Sequence, residues 1–210
     1  MADALDAAAT ARMLDAAAVA IIANVEVLTA ADQAVGDGDH GIGMRRGFEA
    51  ARAKLAAEPP ATVEAACRAV GTAVMGATGG AAGAVFGTLF RSGGAALAGR
   101  ETLDAAGFAT LLQTGLEAVM KRGGVGAGQK TMIDALMPAA AAAAKAADGP
   151  LAAATAAAAA ARQGVEATRG MIATTGKART LGERSLGHPD PGAISMALIL
   201  EAMRDVTARL

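Results

Sequence analysis

Three aspartates, Asp32, Asp37 and Asp39, follow the pattern D-x4-D-x-D, with glycines at 36, 38 and 41. Carboxylate oxygens are hard donors, and three of them on a turning backbone suit a small divalent cation such as Mg2+. Glycine lets the chain curl so that all three face one point. The competing reading is a solvated acidic turn that caps the following helix. That reading accounts for Asp39 and at most Asp37. It leaves Asp32 unexplained, because the C-terminal end of a helix disfavours an anion.

Two nearby segments look like nucleotide motifs and fail on context. Gly36-x-Gly38-x-x-Gly41 has the dinucleotide spacing, but two variable positions are aspartates that would repel a pyrophosphate, and no strand precedes it. Gly124 to Thr131 (GVGAGQKT) resembles a phosphate-binding loop, but Gln129 replaces the glycine before Lys130 and a helix comes ahead of it. Lys130, Lys177, Arg179 and Arg184 are the available cations, either phosphate partners or solvated surface charges. His40 and His188 lie in loops; with one remote cysteine they are too few ligands for zinc, and they read as contacts to a ligand or as loop braces. Met132 is placed to touch a base, whereas the other methionines read mostly as core. Acidic, glycine-rich and basic loops together supply what phosphoryl transfer from a Mg-nucleotide needs, since positioning and charge neutralisation do most of that catalysis.

The elements that must position these loops are helices. Eight segments are expected, approximately over 3–34, 42–57, 61–76, 81–98, 102–121, 130–147, 151–170 and 192–209. The first carries Met13, Leu14, Ala17, Ile21, Val25 and Leu28 at the three-to-four spacing of one helical face. The fifth repeats that spacing with Leu103, Leu111, Leu112, Leu116 and Val119 and opens at a Thr102 cap. Glu58-Pro59-Pro60 and Asp148-Gly149-Pro150 are short breaks. The first, third, fifth and seventh connections are the glycine-rich ones: 35–41, 76–80, 122–129 and 171–191. In an up-and-down arrangement, odd-numbered connections share one end. Four helix N-termini would then meet at one rim, a favourable place for phosphate.

Composition agrees with helices and removes other classes. Aromatic residues make up 2% of 210 residues, with four Phe and no Trp or Tyr, while hydrophobic residues make up 53%. Strands favour the β-branched and aromatic residues that are scarce here, whereas alanine runs at 139–144 and 156–161 favour closely packed helices. A module that stacks bases on aromatic rings is disfavoured. A net charge of −1, from 19 basic and 20 acidic residues, argues against a nucleic-acid or anionic-membrane surface. The single cysteine, Cys67, cannot make an internal disulfide and reads as a small buried residue. Asp3 and Asp6 precede any basic residue, unlike a signal peptide, and the apolar stretch 151–161 is too short to span a bilayer. The expectation is a cytoplasmic protein, residues 1–210 forming one domain, with no nucleic-acid or membrane partner.

Four ordered segments, GDGDHGIGMRRGF (36–48), GGAAGAVFGTLF (79–90), QKTMIDAL (129–136) and GKARTLGERSLGHPDPGAIS (176–195), resemble the nucleotide-binding L subunit of bacterial dihydroxyacetone kinases. The same domain forms the C-terminal half of the single-chain ATP-dependent kinases. The resemblance implies an all-α, eight-helix antiparallel barrel with the nucleotide at one rim. It implies that Asp32, Asp37 and Asp39 hold two Mg2+ ions, and that Lys177 acts with them in catalysis. It also implies that His40, Gly41, Ile42, Gly43, Ala81, Ala82, Gly123, Met132, Lys177, Asp190, Pro191 and Gly192 contact ADP or ATP. The resemblance further implies that the sugar is held on a separate K subunit, so this chain is expected to need that partner for turnover. Gly43, Ala82 and Gln129 stand where the family usually has Asn, Ser and Asp. The first two changes remove hydrogen-bond donors worth about 0.5–1.5 kcal/mol each.

Two versions of the kinase reading follow. Either bound ADP is rephosphorylated in place by a phosphohistidine protein of the sugar phosphotransferase system, or ATP exchanges freely. The substrate is dihydroxyacetone or a related short ketose such as erythrulose. A reading from a different class is a non-catalytic ADP/ATP-state sensor that binds a regulatory protein; it keeps the metal loop but needs no path for phosphoryl transfer.

Overall fold

Helix starts are encoded locally. Asp6, Thr62, Asp104 and Asp190 each place a side-chain oxygen on the backbone N–H three residues ahead, satisfying a donor the helix itself leaves unpaired. The computed structural model describes residues 3–210. It contains α1 (Ala7–Ala23), α2 (Val25–Val35), α3 (His40–Ala57), α4 (Val63–Ala77), α5 (Gly80–Ala95), α6 (Ala105–Gly123), α7 (Ile133–Ala143), α8 (Gly149–Thr168) and α9 (Pro191–Thr207). A 3-10 helix, Lys177–Ser185, lies between α8 and α9 and is interrupted at Gly182.

Three local expectations are corrected. The segment expected as one helix over 3–34 is two, bent by 60° at Asn24. The Asn24 side-chain amide donates to the Ala20 carbonyl at 2.8 Å, offering the backbone a local partner that competes with helix continuation. The apolar period continues through the bend, so it carried no sign of the break. Second, the cap of the fifth expected helix is Asp104, which accepts from Gly107 N at 2.6 Å, and Thr102 lies ahead of it. Third, the long 171–191 connection is partly ordered as the 3-10 helix.

The eight-helix barrel itself stands. Consecutive helices from α3 to α9 pack on one another, and α1 packs on both α9 and α3, closing a ring of α1 and α3–α9. Helix α2 leans on α3, α9 and the 3-10 helix at one end of that ring. An isolated bridge pairs Leu5 with Leu103. The core is small side chains around a few large ones. Phe48, Phe86 and Phe108 are fully buried, and Phe48 meets Phe90 edge-on at 6.4 Å. Ala139, Ala140 and Ala143 of α7 and Ala153, Ala154, Ala157 and Ala158 of α8 are buried, and those two helices pack on one another. Glycines bring other helices closer still: a Cβ on Gly71 of α4 would stand 2.8 Å from the Gly87 carbonyl oxygen of α5. Cys67 is buried in this core, and burial pushes its thiol up to about 12, which leaves it unreactive. No single helix among the described residues is long and apolar enough to cross a membrane.

Candidate functional site

The four glycine-rich connections do meet at one end of the barrel. They enclose a cavity of about 430 Å3, within the range of small-ligand sites. Its lining includes the first residues of four helices: His40 of α3, Gly80 to Ala82 of α5, Ile133 of α7, and Pro191 and Gly192 of α9. Each such end carries the positive pole of its helix, although the first N–H groups of α7 are taken by Thr131 and Met132, that of His40 by Asp32 and that of Ala193 by Asp190. The floor is apolar, with Val35, Val85, Phe86, Val119, Val125 and Met132.

At the mouth stands the acidic loop. One carboxylate oxygen from each of Asp32, Asp37 and Asp39 lies within 4.8 Å of the others. Asp32, in the last turn of α2, is the most shielded of the three, and its Oδ2 accepts the His40 backbone N–H at 3.1 Å. That bond helps offset the unfavourable helix C-terminus that made Asp32 unusual in the sequence. A Cβ at position 36 would stand 2.5 Å from Asp32 Oδ1, so glycine leaves the carboxylate free to lie over the turn, and a larger residue would push it aside. Lys177, opening the 3-10 helix, donates to Asp37, and to Asp39 at 3.0 Å. Its ammonium lowers the Asp37 pKa, and the two carboxylates raise its own.

Behind the loop, His40 Nε2 and Ser195 Oγ are 2.8 Å apart. Ser195 Oγ donates to the Pro191 carbonyl at 3.1 Å, which assigns the proton of the His40–Ser195 bond to Nε2. Burial lowers the His40 pKa despite nearby Asp32 and Asp39, and the ring braces α3 against α9 through Ser195. Asp190 caps α9, with Ala193 N donating to its Oδ2 at 2.7 Å. Burial pushes its carboxyl up to about 7; the Ala193 N–H opposes the shift, Asp134 adds to it, Lys130 opposes it and Asp32 adds to it.

The expected site residues fall into two groups. Asp32, Asp39, His40, Gly43, Ala81, Ala82, Gly123, Met132, Lys177, Asp190, Pro191 and Gly192 all line the cavity. Asp37, Gly41 and Ile42 lie outside the lining. Asp37 faces solvent beside Lys177, and Ile42 is 46% exposed. Gly41 is a packing residue, because a Cβ there would stand 2.3 Å from both Thr29 Oγ1 and the Val25 carbonyl oxygen of α2. Gly43 has a related use: its Cβ would stand 3.1 Å from the Thr78 carbonyl oxygen, so glycine lets α3 lie tight against the entry to α5.

Of the four cations, Lys177 and Lys130 line the cavity, whereas Arg179 and Arg184 are exposed outside it. His188 contributes its backbone carbonyl, which accepts from Lys130. Sequence reasoning missed Arg46, Thr78 and Asp134. Arg46 lines the cavity and donates to the Thr78 carbonyl at 3.2 Å. The Arg45-Arg46 pair inside the motif at 36–48 was the available signal, but helix periodicity does not say which arginine faces the rim. Asp134 accepts from Gly128 N at 2.5 Å and Thr131 N at 2.8 Å, holding the loop ahead of α7.

Residues 34–205 match the DAK2 domain. The chain is 38% identical over 180 residues to the ADP-binding subunit DhaL of PEP-dependent dihydroxyacetone kinase 1 from Listeria innocua, covering 86% of each chain. This chain belongs to the DAK2 family of DhaL-type dihydroxyacetone kinase subunits. It is also 37% identical to the L-erythrulose 1-kinase of Mycolicibacterium smegmatis, over 85% of this chain but 32% of that protein. The chain therefore spans about a third of that kinase's length. The native crystal structure of the C. freundii dihydroxyacetone kinase shares the fold, with a TM-score of 0.72 at 26% identity over 93% of this chain and 34% of that one.

Proposed function

We propose that this DAK2-family chain is a phosphotransferase subunit that binds ADP or ATP with Mg2+ at the rim and passes a nucleotide phosphate to a short ketose held on a separate K subunit. The observation that carries the reading is the clustering of Asp32, Asp37 and Asp39 at the mouth of a cavity ringed by four helix N-termini. The oxygens fit Mg2+ in chemistry and in spacing, and a cation, the Lys177 ammonium, already lies between two of them. When bound, Mg2+ would supply charge neutralisation on the phosphate oxygens and a fixed orientation for in-line displacement. Two ions are proposed, shared by the three aspartates. With those carboxylates engaged, Lys177 is released to neutralise a phosphate. The N-termini of α5 and α9 offer backbone N–H groups to the same phosphates, which removes the need for side-chain donors at Gly43 and Ala82. The apolar floor around Val119, Val125 and Met132 takes the base.

Two relatives' names support the details. The L. innocua subunit is named ADP-binding and its kinase PEP-dependent, which supports bound ADP recharged by a phosphohistidine phosphotransferase component. The M. smegmatis protein is named an L-erythrulose 1-kinase, which supports erythrulose as well as dihydroxyacetone as the ketose. The test is Asp37→Asn with calorimetric ADP titration in Mg2+. Severe loss of Mg-dependent affinity with unchanged helicity is expected, and unchanged binding overturns the metal assignment. Ketose phosphorylation should be negligible for the isolated chain and restored by a K subunit. Turnover by the chain alone refutes the split site, whereas tight ADP binding with no transfer in any combination selects the sensor reading.

A further inference from the structure

Lys130 is the residue the phosphate-loop resemblance singled out, and its surroundings do not match a phosphate-binding lysine. It is 2% exposed, and it is the only non-glycine residue among those described with a left-handed backbone, at φ 61°. Such a conformation costs about 1–2 kcal/mol for an ordinary side chain. What holds it there is a set of polar contacts on both sides. The Asp134 carboxylate accepts from Gly128 N and Thr131 N, bracketing Lys130 in the chain. The Lys130 ammonium donates to the Thr168 carbonyl at the end of α8 and to the His188 carbonyl ahead of α9, each at 2.5 Å. Thr168 extends the chain of contacts: its hydroxyl accepts from Asp190 N at 2.9 Å, and Asp190 caps α9. One ammonium thus joins the loop before α7, the end of α8 and the start of α9. The two cavity walls it joins touch, since a Cβ on Gly192 would stand 3.3 Å from the Met132 Cβ.

We propose that Lys130 is a positioning residue for the nucleotide: it ties the Gly128–Met132 loop to the 168–190 segment and so sets the spacing between Met132 and the Asp190–Gly192 wall, without itself binding phosphate. The inference rests on the nucleotide reading of the cavity. It predicts a pattern that a phosphate contact would not produce. A lysine on phosphate strengthens ADP and leaves adenosine alone; a tie that shapes the cavity affects both equally.

The experiment compares Lys130→Met with Lys130→Gly, which loses the ammonium but relieves the left-handed strain. Helicity and melting are followed by circular dichroism, binding of Mg·ADP and of adenosine by calorimetry, and exposure of residues 171–190 by limited trypsin digestion at Lys177, Arg179 and Arg184. Loss of charged hydrogen bonds predicts affinity lower by about tenfold or more for both ligands, by the same factor, in folded protein. Cleavage in 171–190 should become faster without ligand. Unchanged affinity in a folded variant overturns the proposal, and so does loss confined to ADP, which would make Lys130 a phosphate contact. Failure of both variants to fold assigns Lys130 to the fold alone and overturns it too. If the parent chain binds neither ligand, the nucleotide reading fails, and the digestion result alone decides whether the tie exists.

Discussion

Gly164→Ala puts the close packing of α7 on α8 to a quantitative test. A Cβ on Gly164 would lie 2.3 Å from the Asp134 carbonyl oxygen, 2.7 Å from Ala135 Cα and 3.1 Å from Asp134 C. All three are backbone atoms, so no rotamer change can relieve the contact. Carbon atoms rest about 3.5–4.0 Å apart, so the first turn of α7 must retreat by on the order of 1 Å. Overpacking of this kind costs about 1–3 kcal/mol, and a backbone-only clash belongs at the upper end. Alanine in place of a mid-helix glycine returns about 1 kcal/mol. The steric term wins, leaving a net loss of about 1–2 kcal/mol, or a melting temperature lower by about 2–8 °C for a chain of this size. The same movement displaces Asp134, which holds the loop ahead of α7, so Mg·ADP affinity should fall with it. Gly76→Ala is the control, because a Cβ there meets nothing within 4 Å and helix propensity predicts a gain of about 0.5–1 kcal/mol. Urea unfolding followed by circular dichroism measures both. A Gly164→Ala protein as stable as Gly76→Ala would refute the claim that α7 and α8 are in backbone contact.

Two further outcomes concern the buried groups. Asp190 titrates near 7 in the folded chain and in the usual carboxylate range when unfolded, so between about pH 4 and 7 only the folded chain keeps its proton. Stability contributed by this group is therefore present at the acid end and is lost as pH rises through 7. Because the side chain keeps some surface on the cavity, the swing is about 1–3 kcal/mol; Asp190→Asn should flatten it, and parallel pH–stability curves would show the carboxyl to be ordinary. Phe48→Ala removes a fully buried ring and should cost about 3–5 kcal/mol in urea unfolding. A loss below about 1 kcal/mol would mean that Phe48 is not packed as described.

Helix-forming segments, the pairing of glycine-rich loops with helix starts and the aspartate spacing were all legible along the chain, because each depends on residues within a turn or two of one another. Alternation of short and glycine-rich connections even indicated which loops share an end. The Asn24 bend escaped that reading, since an asparagine bonding to Ala20 leaves the apolar period intact. Gly41 and Gly43 were read as ligand contacts by motif; what the structure shows is how closely α3 approaches α2 and the Thr78 carbonyl. Lys130 and Lys177 look alike in sequence, both basic residues in glycine-rich loops. One is buried on two carbonyls and the other bridges two exposed carboxylates. By itself, then, the sequence determined an all-helical chain whose acidic, glycine-rich and basic loops gather at one rim. Only tertiary structure decided which side chains face that rim, because the partners of Lys130 lie 38 and 58 residues away and those of Lys177 lie 140 and 138 away. Contacts at such separations depend on how whole helices pack, and no local spacing encodes them.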